Sequence, residues 1–188
     1  MTRVPLDQDQ VVEAAALLAD TEGLGALTLT RVAKELGVRQ PALYRHVESY
    51  QDLLRLLSLK GREQLADALS EAAIGVSGDE AVAAVGLAWR RAVLANPGLY
   101  EATDRYPCAG DAELEEAVDR IVAIIAQALA GFDLDDDHRV HAARALRSAF
   151  HGFCQLEAGD GHPHPHDLDE TFDCLIELLC AGIRSQAI

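Results

Sequence analysis

Residues 27–47 read LTLTRVAKELGVRQPALYRHV, and this stretch decides the fold. It holds two short helical patterns on either side of a tight turn around Gly37, with Thr28 placed to cap the first helix. The second helix is predicted from about Gln40 to Val47, with Pro41 tolerated in its first turn. Glycine accepts the positive φ that such a turn requires, so the two helices can cross at a steep angle. The stretch therefore predicts a helix-turn-helix.

Outside this stretch the pattern is also helical, because apolar residues recur at spacings of three and four between Gly, Pro and Asp. A first helix is predicted from about Asp9 to Thr21, and a long one from a capping box at Ser49 to about Ala73. The later helices are predicted at about 79–95, 98–104, 111–130, 136–157 and 168–185. Aromatic residues make up only 5% of the chain. The predicted fold class is all-α: an N-terminal three-helix domain joined by a long helix to a C-terminal helical bundle.

The net charge of −15 at first argues against a nucleic-acid partner. The charge is unevenly distributed, however. Residues 28–62 hold seven basic and three acidic side chains, which gives this segment a net charge of +4. A basic segment in an acidic chain suits a small module that contacts phosphate, while the acidic remainder discourages indiscriminate binding to DNA.

The second helix of the motif carries side chains that could read DNA. Its exposed positions are predicted to be Gln40, Ala42, Tyr44, Arg45 and His46, which combine hydrogen-bonding groups with a small methyl. That mixture suits base edges and the thymine methyl group in a major groove. An ordinary helical hairpin with a polar face remains the alternative interpretation of the same pattern.

Residues 27–47, followed by Asp52-Leu53-Leu54, resemble the DNA-binding domain of TetR-family regulators, and the similarity extends over roughly residues 9–60. The resemblance implies that Thr30, Gln40 and Ala42 face bases and that Tyr44 and His46 meet phosphate or the groove wall. It also implies that Thr28 caps its helix and donates to phosphate. Charge adds Arg39 and Arg45 as candidates for phosphate contact. Arg3 precedes the first helix and could reach an adjacent phosphate or the minor groove, but a solvated side chain is the preferred interpretation there.

This chain departs from the family at Tyr50, where many members carry Lys near the start of the fourth helix. A tyrosine can donate one hydrogen bond to phosphate but brings no charge. We therefore expect one fewer released counterion and a weaker dependence of DNA binding on salt.

The C-terminal part also resembles one class of the family, in residues 89–100 and in residues 144–153 with 167–172. The resemblance implies three domains: a helix-turn-helix domain at 1–48, a connecting helix and linker at 49–78, and an effector-binding and dimerisation domain at 79–188. The last two helices are expected to form a homodimer interface. An apolar stripe on the last helix is predicted to be core or interface: Leu168, Phe172, Leu175, Ile176, Leu179 and Ile183.

A small, largely apolar effector is expected to contact aromatic residues and one histidine of the C-terminal domain. The candidate residues are Trp89, Tyr100, Phe150, His151 and Phe153. A hydrogen-bonded place in the core is the alternative for His151 and is slightly favoured, and the two interpretations stay open.

Residues 162–166 read HPHPH and suggest a metal site, but alternating prolines favour an extended chain that suits tetrahedral coordination poorly. A solvated loop is the preferred interpretation of His162, His164 and His166, and no metal or other cofactor is predicted. Cys108, Cys154, Cys174 and Cys180 form no CxxC pair and are expected to be small buried hydrophobic residues.

Sequence motifs of enzymes are missing: the chain has no glycine-rich phosphate loop, no GxSxG and no HExxH. No apolar run approaches the ~18 residues of a membrane span, and residues 2–9 do not form a charged-then-apolar leader. The prediction is a cytoplasmic TetR-like repressor, not an enzyme, that a small effector releases from double-stranded operator DNA. The alternative is a metal- or redox-responsive regulator that uses the histidine loop or Cys108.

Overall fold

A computed structural model describes residues 6–186, and all regular structure within that range is helical. The α-helices are α1 (Gln8–Glu22), α2 (Leu29–Glu35), α3 (Tyr50–Ala72), α4 (Gly78–Ala95), α5 (Pro97–Arg105), α6 (Ala112–Ala128), α7 (Asp136–Ala158) and α8 (Leu168–Arg184). Three short 3₁₀ helices cover Leu24–Ala26, Gln40–Arg45 and Leu129–Gly131. The all-α prediction is confirmed.

Several helix ends are fixed by the residues beside them. Gly23 ends α1 with a positive φ of 84°, and Asp167 caps α8 by accepting hydrogen bonds from the amides of Asp169 and Glu170. At the start of α3 the Ser49 hydroxyl accepts from the Asp52 amide over 3.0 Å. The Asp52 carboxylate accepts in turn from the amide of Glu48, one residue before the expected cap.

The chain divides into two compact units. The first contains the described residues up to Glu63 together with Asn96–Glu115, and the second contains Gln64–Ala95 and the described residues from Glu116 onward. The compact units therefore do not follow the boundaries at 48 and 78 that the family resemblance implied. The division by function into DNA-binding, connecting and effector-binding parts stays a prediction.

Helix α5 belongs to the first unit because two backbones approach closely there. A Cβ atom on Gly98 would lie 2.1 Å from the carbonyl oxygen of Ala19, so only glycine fits against α1 at this point. The neighbouring Asp20 accepts a 2.8 Å hydrogen bond from the amide of Leu99, which satisfies a free N–H in the first turn of α5. Burial raises the pKa of Asp20, although its hydrogen bonds to the Leu99 and Gly98 amides oppose the rise.

Two arginines join the N-terminal part of α3 to other segments of the first unit. Arg62 is 8% exposed and donates to the carbonyl oxygen of Thr103 over 2.6 Å. Arg55 pairs with Asp111 and Glu113, and the guanidinium holds the pKa of Asp111 below its usual range. These pairs bring residues of α3 to α5 and to the segment that begins α6.

The second unit has an aromatic core, and a partly buried ion pair lies against its rings. Phe150 and Phe172 are almost wholly buried, with ring centroids 5.8 Å apart. The guanidinium of Arg90 lies 5.2 Å from the Phe172 ring centroid and pairs with Glu157 over 2.6 Å and with Asp169 over 2.7 Å. A single α4 side chain thus joins α4, α7 and α8.

No helix between residues 6 and 186 combines the length and the apolar character that a bilayer span requires.

Candidate nucleic-acid interface

Thr28 begins the motif as predicted. It has an extended backbone, and its hydroxyl oxygen accepts from the amide of Arg31 over 3.2 Å, which caps α2. A hydroxyl group that accepts in this way keeps its own hydrogen for another partner. Thr28 is exposed, so that hydrogen can reach an external acceptor such as a phosphate oxygen.

The turn after α2 has the geometry that its glycine permits. Gly37 adopts a φ of 63°, and the amide of Val38 donates to the carbonyl oxygen of Ala33 over 2.9 Å. Ala33 is 2% exposed, which allows the next segment to pack closely against α2. The turn therefore presents the following helix at the surface while its apolar residues stay in the core.

That following helix, Gln40–Arg45, is hereafter the recognition helix, and it is a 3₁₀ helix shorter than the predicted 40–47. Both of its ends show the hydrogen bonds of a 3₁₀ helix, which join residues three apart. The amide of Ala42 donates to the carbonyl oxygen of Arg39 and the amide of His46 donates to that of Leu43, both over 2.8 Å. Short helices often adopt this tighter form. Leu43, with no exposed surface, anchors the recognition helix to the core.

Three polar side chains form a hydrogen-bonded chain on the outer side of the motif. The Thr30 hydroxyl donates to Oε1 of Gln40 over 2.9 Å, and Nε2 of Gln40 donates to the Tyr44 hydroxyl oxygen over 3.2 Å. Each member keeps hydrogen-bonding capacity: Gln40 retains one N–H and one lone pair, and Tyr44 retains its hydrogen. Three of the residues predicted to face bases or phosphate are thus brought together and oriented.

The other predicted contact residues differ in exposure. Thr30, Arg39, Tyr44 and Arg45 are exposed like Thr28, whereas Gln40, Ala42, His46 and Tyr50 are half-buried. The carbonyl oxygen of His46 accepts from Nε2 of Gln8 over 2.8 Å, which ties the end of the recognition helix to the first turn of α1. Tyr50 packs partly against the core of the first unit, so its ring is supported by apolar neighbours.

Most of the basic side chains between residues 28 and 62 already have a partner within the protein. Arg31 pairs with Glu22 and Lys60 pairs with Glu13, while Arg55 and Arg62 have the partners given above. Among residues 6–186, no carboxylate pairs with the three remaining cations, Lys34, Arg39 and Arg45, all of which are exposed.

Lys34 had not been singled out as a contact residue from the sequence. Its place on α2, four residues after Thr30, was the signal that could have identified it. Arg3, a candidate from the sequence, lies outside the described residues.

The predicted effector residues do not all come together. Trp89 and Phe150 are buried in the second unit with ring centroids 6.4 Å apart, and Phe153 packs on Phe172 at 4.9 Å. His151 is half-buried on the same helix as the two phenylalanines. Tyr100 belongs to the first unit, through its place on α5.

The predicted apolar stripe of α8 belongs to the core of the second unit. Phe172, Ile176 and Ile183 are buried, and the remaining members of the stripe are half-buried. The stripe is therefore packed within one chain, and a contact between two copies through α8 would use its other face.

The histidine loop does not gather its three imidazoles around one point. His162 packs on the ring of Phe153 at 5.0 Å, whereas His164 and His166 face each other at 6.4 Å. Within residues 6–186, no group of three or more His, Cys, Asp or Glu side chains is arranged to hold a metal ion.

The cysteines only partly match the expectation of burial. Cys154 and Cys180 are buried, and burial raises the pKa of the Cys154 thiol to about 12. Cys108 is half-buried and Cys174 is exposed, which corrects the prediction for these two. Cys174 is exposed because it lies on the face of α8 opposite the buried stripe.

Comparison with known proteins matches both parts of the chain to one family. Residues 11–57 match the family described as "Bacterial regulatory proteins, tetR family", and residues 82–179 match "Tetracyclin repressor-like, C-terminal domain". The helix-turn-helix transcriptional regulator YobS of Bacillus subtilis, itself uncharacterised, is 31% identical over 183 residues, which cover 96% of this chain and 94% of that protein.

Solved structures show the same fold. The transcriptional regulator SCO7222, a TetR from Streptomyces coelicolor, matches with a TM-score of 0.72 at 22% identity, over 97% of this chain and all of that one. A variant of TetR from Acinetobacter baumannii AYE, in complex with minocycline, matches with a TM-score of 0.71 at 22% identity, over 98% of this chain and all of that one.

These matches are to transcription regulators and not to an enzyme family. The helix-turn-helix with its oriented polar chain, and the matches to both parts of the sequence, lead to one conclusion. The chain belongs to the TetR family of transcriptional regulators.

Proposed function

We propose that this protein is a cytoplasmic, homodimeric repressor that binds operator DNA through its first unit and is released by a small, largely apolar effector. The observation that carries the DNA-binding part is the chain of hydrogen bonds from Thr30 through Gln40 to Tyr44. It holds a side-chain amide at the surface with one donor and one acceptor still free. An adenine edge in the major groove offers the matching acceptor and donor.

The division of contacts follows from the chemistry of each residue. Gln40, with Thr30 and the methyl group of Ala42, reads base edges. Tyr44 and Thr28 donate hydroxyl hydrogens to phosphate, and His46 and Tyr50 lie at the groove wall. Lys34, Arg39 and Arg45 supply the charge that the acidic remainder of the chain lacks, and phosphate contacts of this kind set position and affinity without reading sequence.

Dimerisation through α7 and α8 is supported by the character of their outward faces. Leu156 on α7 is 51% exposed and Leu178 on α8 is 72% exposed. Small residues lie near them on the same faces, including Ala145, Gly152 and Ala181. Exposed leucines beside small residues allow the helices of two copies to pack closely and bury apolar surface.

Release by an effector would require a change in the spacing of two recognition helices in the dimer. The C-terminal match and the minocycline complex of the Acinetobacter protein support a small-molecule site in the second unit. We assign Trp89, Phe150, His151 and Phe153 to it. Tyr100, which lies on α5 in the first unit, is not assigned to this site.

Binding to DNA from immediately upstream of the protein's own gene tests the proposal, with a scrambled duplex as control at two salt concentrations. We expect preference for the upstream duplex by ~10³-fold or more, the usual margin of specific recognition. Equal, strongly salt-dependent binding to both duplexes, repeated with genomic fragments, would contradict it.

A further inference from the structure

A groove between α6 and α7 combines an apolar floor with arginine side chains. It has a volume of about 310 Å³ and is lined by Val122, Ile125, Ala126, Arg139, Val140, Ala143, Arg144 and Arg147. All eight residues belong to the second unit. None of them is an aromatic effector candidate, so the groove is separate from the site assigned above.

The arginines of the groove lack the carboxylate partners that three other arginines of this unit have. Arg90, Arg120 and Arg184 each pair with a carboxylate. Within residues 6–186, the Arg139 side chain donates to the carbonyl oxygen of Leu134 over 3.0 Å and pairs with no carboxylate. Among residues 6–186, the side chains of Arg144 and Arg147 form no ion pair or hydrogen bond.

The two helix segments that line the groove contain no acidic residues although the chain is strongly acidic. Residues 138–156 of α7 contain no Asp or Glu, and neither do residues 120–132, which include the groove-lining part of α6. The chain as a whole has 31 acidic against 16 basic residues. The residues that line the groove therefore include three arginines and no carboxylate.

The positions on α7 place charge and apolar surface side by side. Val140, Ala143, Arg144 and Arg147 follow the i, i+3, i+4, i+7 spacing of a single helix face. Val140 of α7 is 48% exposed, and Val122 of α6, across the groove, is 43% exposed. Both sides of the groove therefore carry exposed apolar surface. This face differs from the one with Ala145 and Gly152 that we assign to the dimer.

We propose that this groove binds an anionic amphiphile, namely a free carboxylate with a linear apolar tail. The tail covers the valine, isoleucine and alanine side chains, and the carboxylate accepts from the guanidinium groups of Arg144 and Arg147. A planar guanidinium matches a carboxylate with two parallel hydrogen bonds. A neutral hydrocarbon would leave these cations unpaired, and a compact inorganic anion would leave the apolar floor uncovered.

The charge of the ligand is tested by calorimetric titration of the full-length chain with decanoate below its micelle concentration. Decyltrimethylammonium, which has the same tail and the opposite charge, is the ligand control. We expect one decanoate to bind per chain and decyltrimethylammonium not to bind. Absence of decanoate binding, or equal binding of both compounds, would overturn the proposal.

The location of the site is tested with the double variant Arg144→Gln/Arg147→Gln and with Ala143→Leu, which fills the groove but keeps its charges. Arg91→Gln, an exposed arginine of α4, is the matched control. Loss of charge-assisted hydrogen bonds predicts about tenfold weaker decanoate binding or more in the double variant. Ala143→Leu is expected to weaken it as well, and Arg91→Gln to leave it unchanged.

Two results would overturn the assignment to this groove. One is wild-type affinity for decanoate in both groove variants. The other is a change of molar mass by light scattering in the double variant, which would place the arginines between copies of the chain. Neither readout uses DNA, so failure here is distinct from failure of the proposed function.

Discussion

Thr30 and Gln40 are joined across the turn of the helix-turn-helix by a 2.9 Å hydrogen bond from the threonine hydroxyl to the glutamine Oε1. Because Gln40 also donates to Tyr44, its amide is held by two neighbours before any DNA is present. A side chain that is already ordered loses less conformational entropy when it binds. The relationship makes Gln40 the residue whose loss should affect sequence recognition most.

Gln40→Ala should lower the preference for operator over scrambled DNA by about 10- to 100-fold, since one bidentate base contact is worth ~1–3 kcal/mol of discrimination. Binding to scrambled DNA should stay unchanged, because no phosphate contact is removed. Competition binding with the two duplexes measures both quantities. Thr30→Val, which removes the hydroxyl group that orients Gln40, should cause a smaller loss. Undiminished discrimination in Gln40→Ala would show that Gln40 does not read a base.

Lys34→Gln should reduce the slope of log affinity against log salt by about 0.9, the value for one phosphate contact on duplex DNA. Lys34 is exposed and free of any carboxylate partner within residues 6–186. The matched control is Lys60→Gln, because Lys60 is occupied by Glu13 at 2.6 Å. Titrations at four salt concentrations measure the slopes. An unchanged slope in Lys34→Gln would remove Lys34 from the interface.

Gly98→Ala should destabilise the first unit, since its Cβ would lie 2.1 Å from the backbone carbonyl oxygen of Ala19. Overpacking of this kind usually costs about 1–3 kcal/mol, and a backbone atom cannot move aside as a side chain can. Gly25→Ala is the control, because nothing lies within 4 Å of its Cβ position, and it should stay within about 0.5 kcal/mol of wild type. Urea unfolding measures both, and equal stability of the two variants would refute the close contact between α1 and α5.

The ion pair between Asp111 and Arg55 should make the free energy of unfolding depend on pH below neutrality. Its pairing with Arg55 lowers its folded-state pKa, so its contribution is present above the ordinary carboxyl pKa and is lost as the pH falls through the lowered pKa. Asp111→Asn should therefore be less stable than wild type near neutral pH, and the difference should shrink as the pH falls.

Unfolding by urea between about pH 7 and about pH 3 measures this difference in the free energy of unfolding. Asp119→Asn, at an exposed position of α6, is the control for loss of one surface charge. A difference between wild type and Asp111→Asn that does not change with pH would contradict the role of the ion pair.

Local features of the fold could be predicted from the sequence because they depend on neighbouring residues. The cap at Thr28 needs only an amide three residues away, and the end of α1 needs only the backbone freedom of Gly23. The place of α5 could not be predicted in the same way. It depends on two contacts with α1. Gly98 lies against the backbone of Ala19, and the amide of Leu99 donates to Asp20, which lies 79 residues earlier in the chain.

The count of charges in the basic segment was informative only in part. Arg31 and Lys60 add to the local net charge in sequence, yet their partners Glu22 and Glu13 lie outside that segment and neutralise them in the fold. Pairing across distant positions follows from tertiary structure and leaves no trace in composition. The same limit applies to Lys34, whose availability becomes visible only when the other cations are seen to be paired.

Selection of bound sequences from a random pool of duplexes, with the purified 188-residue protein, tests directly whether the recognition helix reads DNA sequence. We expect enrichment of an inverted repeat whose half-site centres lie about one helical turn or slightly more apart, as a dimer with two recognition helices requires. Gln40→Ala should lose the preference at one position in each half-site. Recovery of a pool with no enriched motif, from protein that binds DNA in the same buffer, would contradict sequence-specific recognition by this chain.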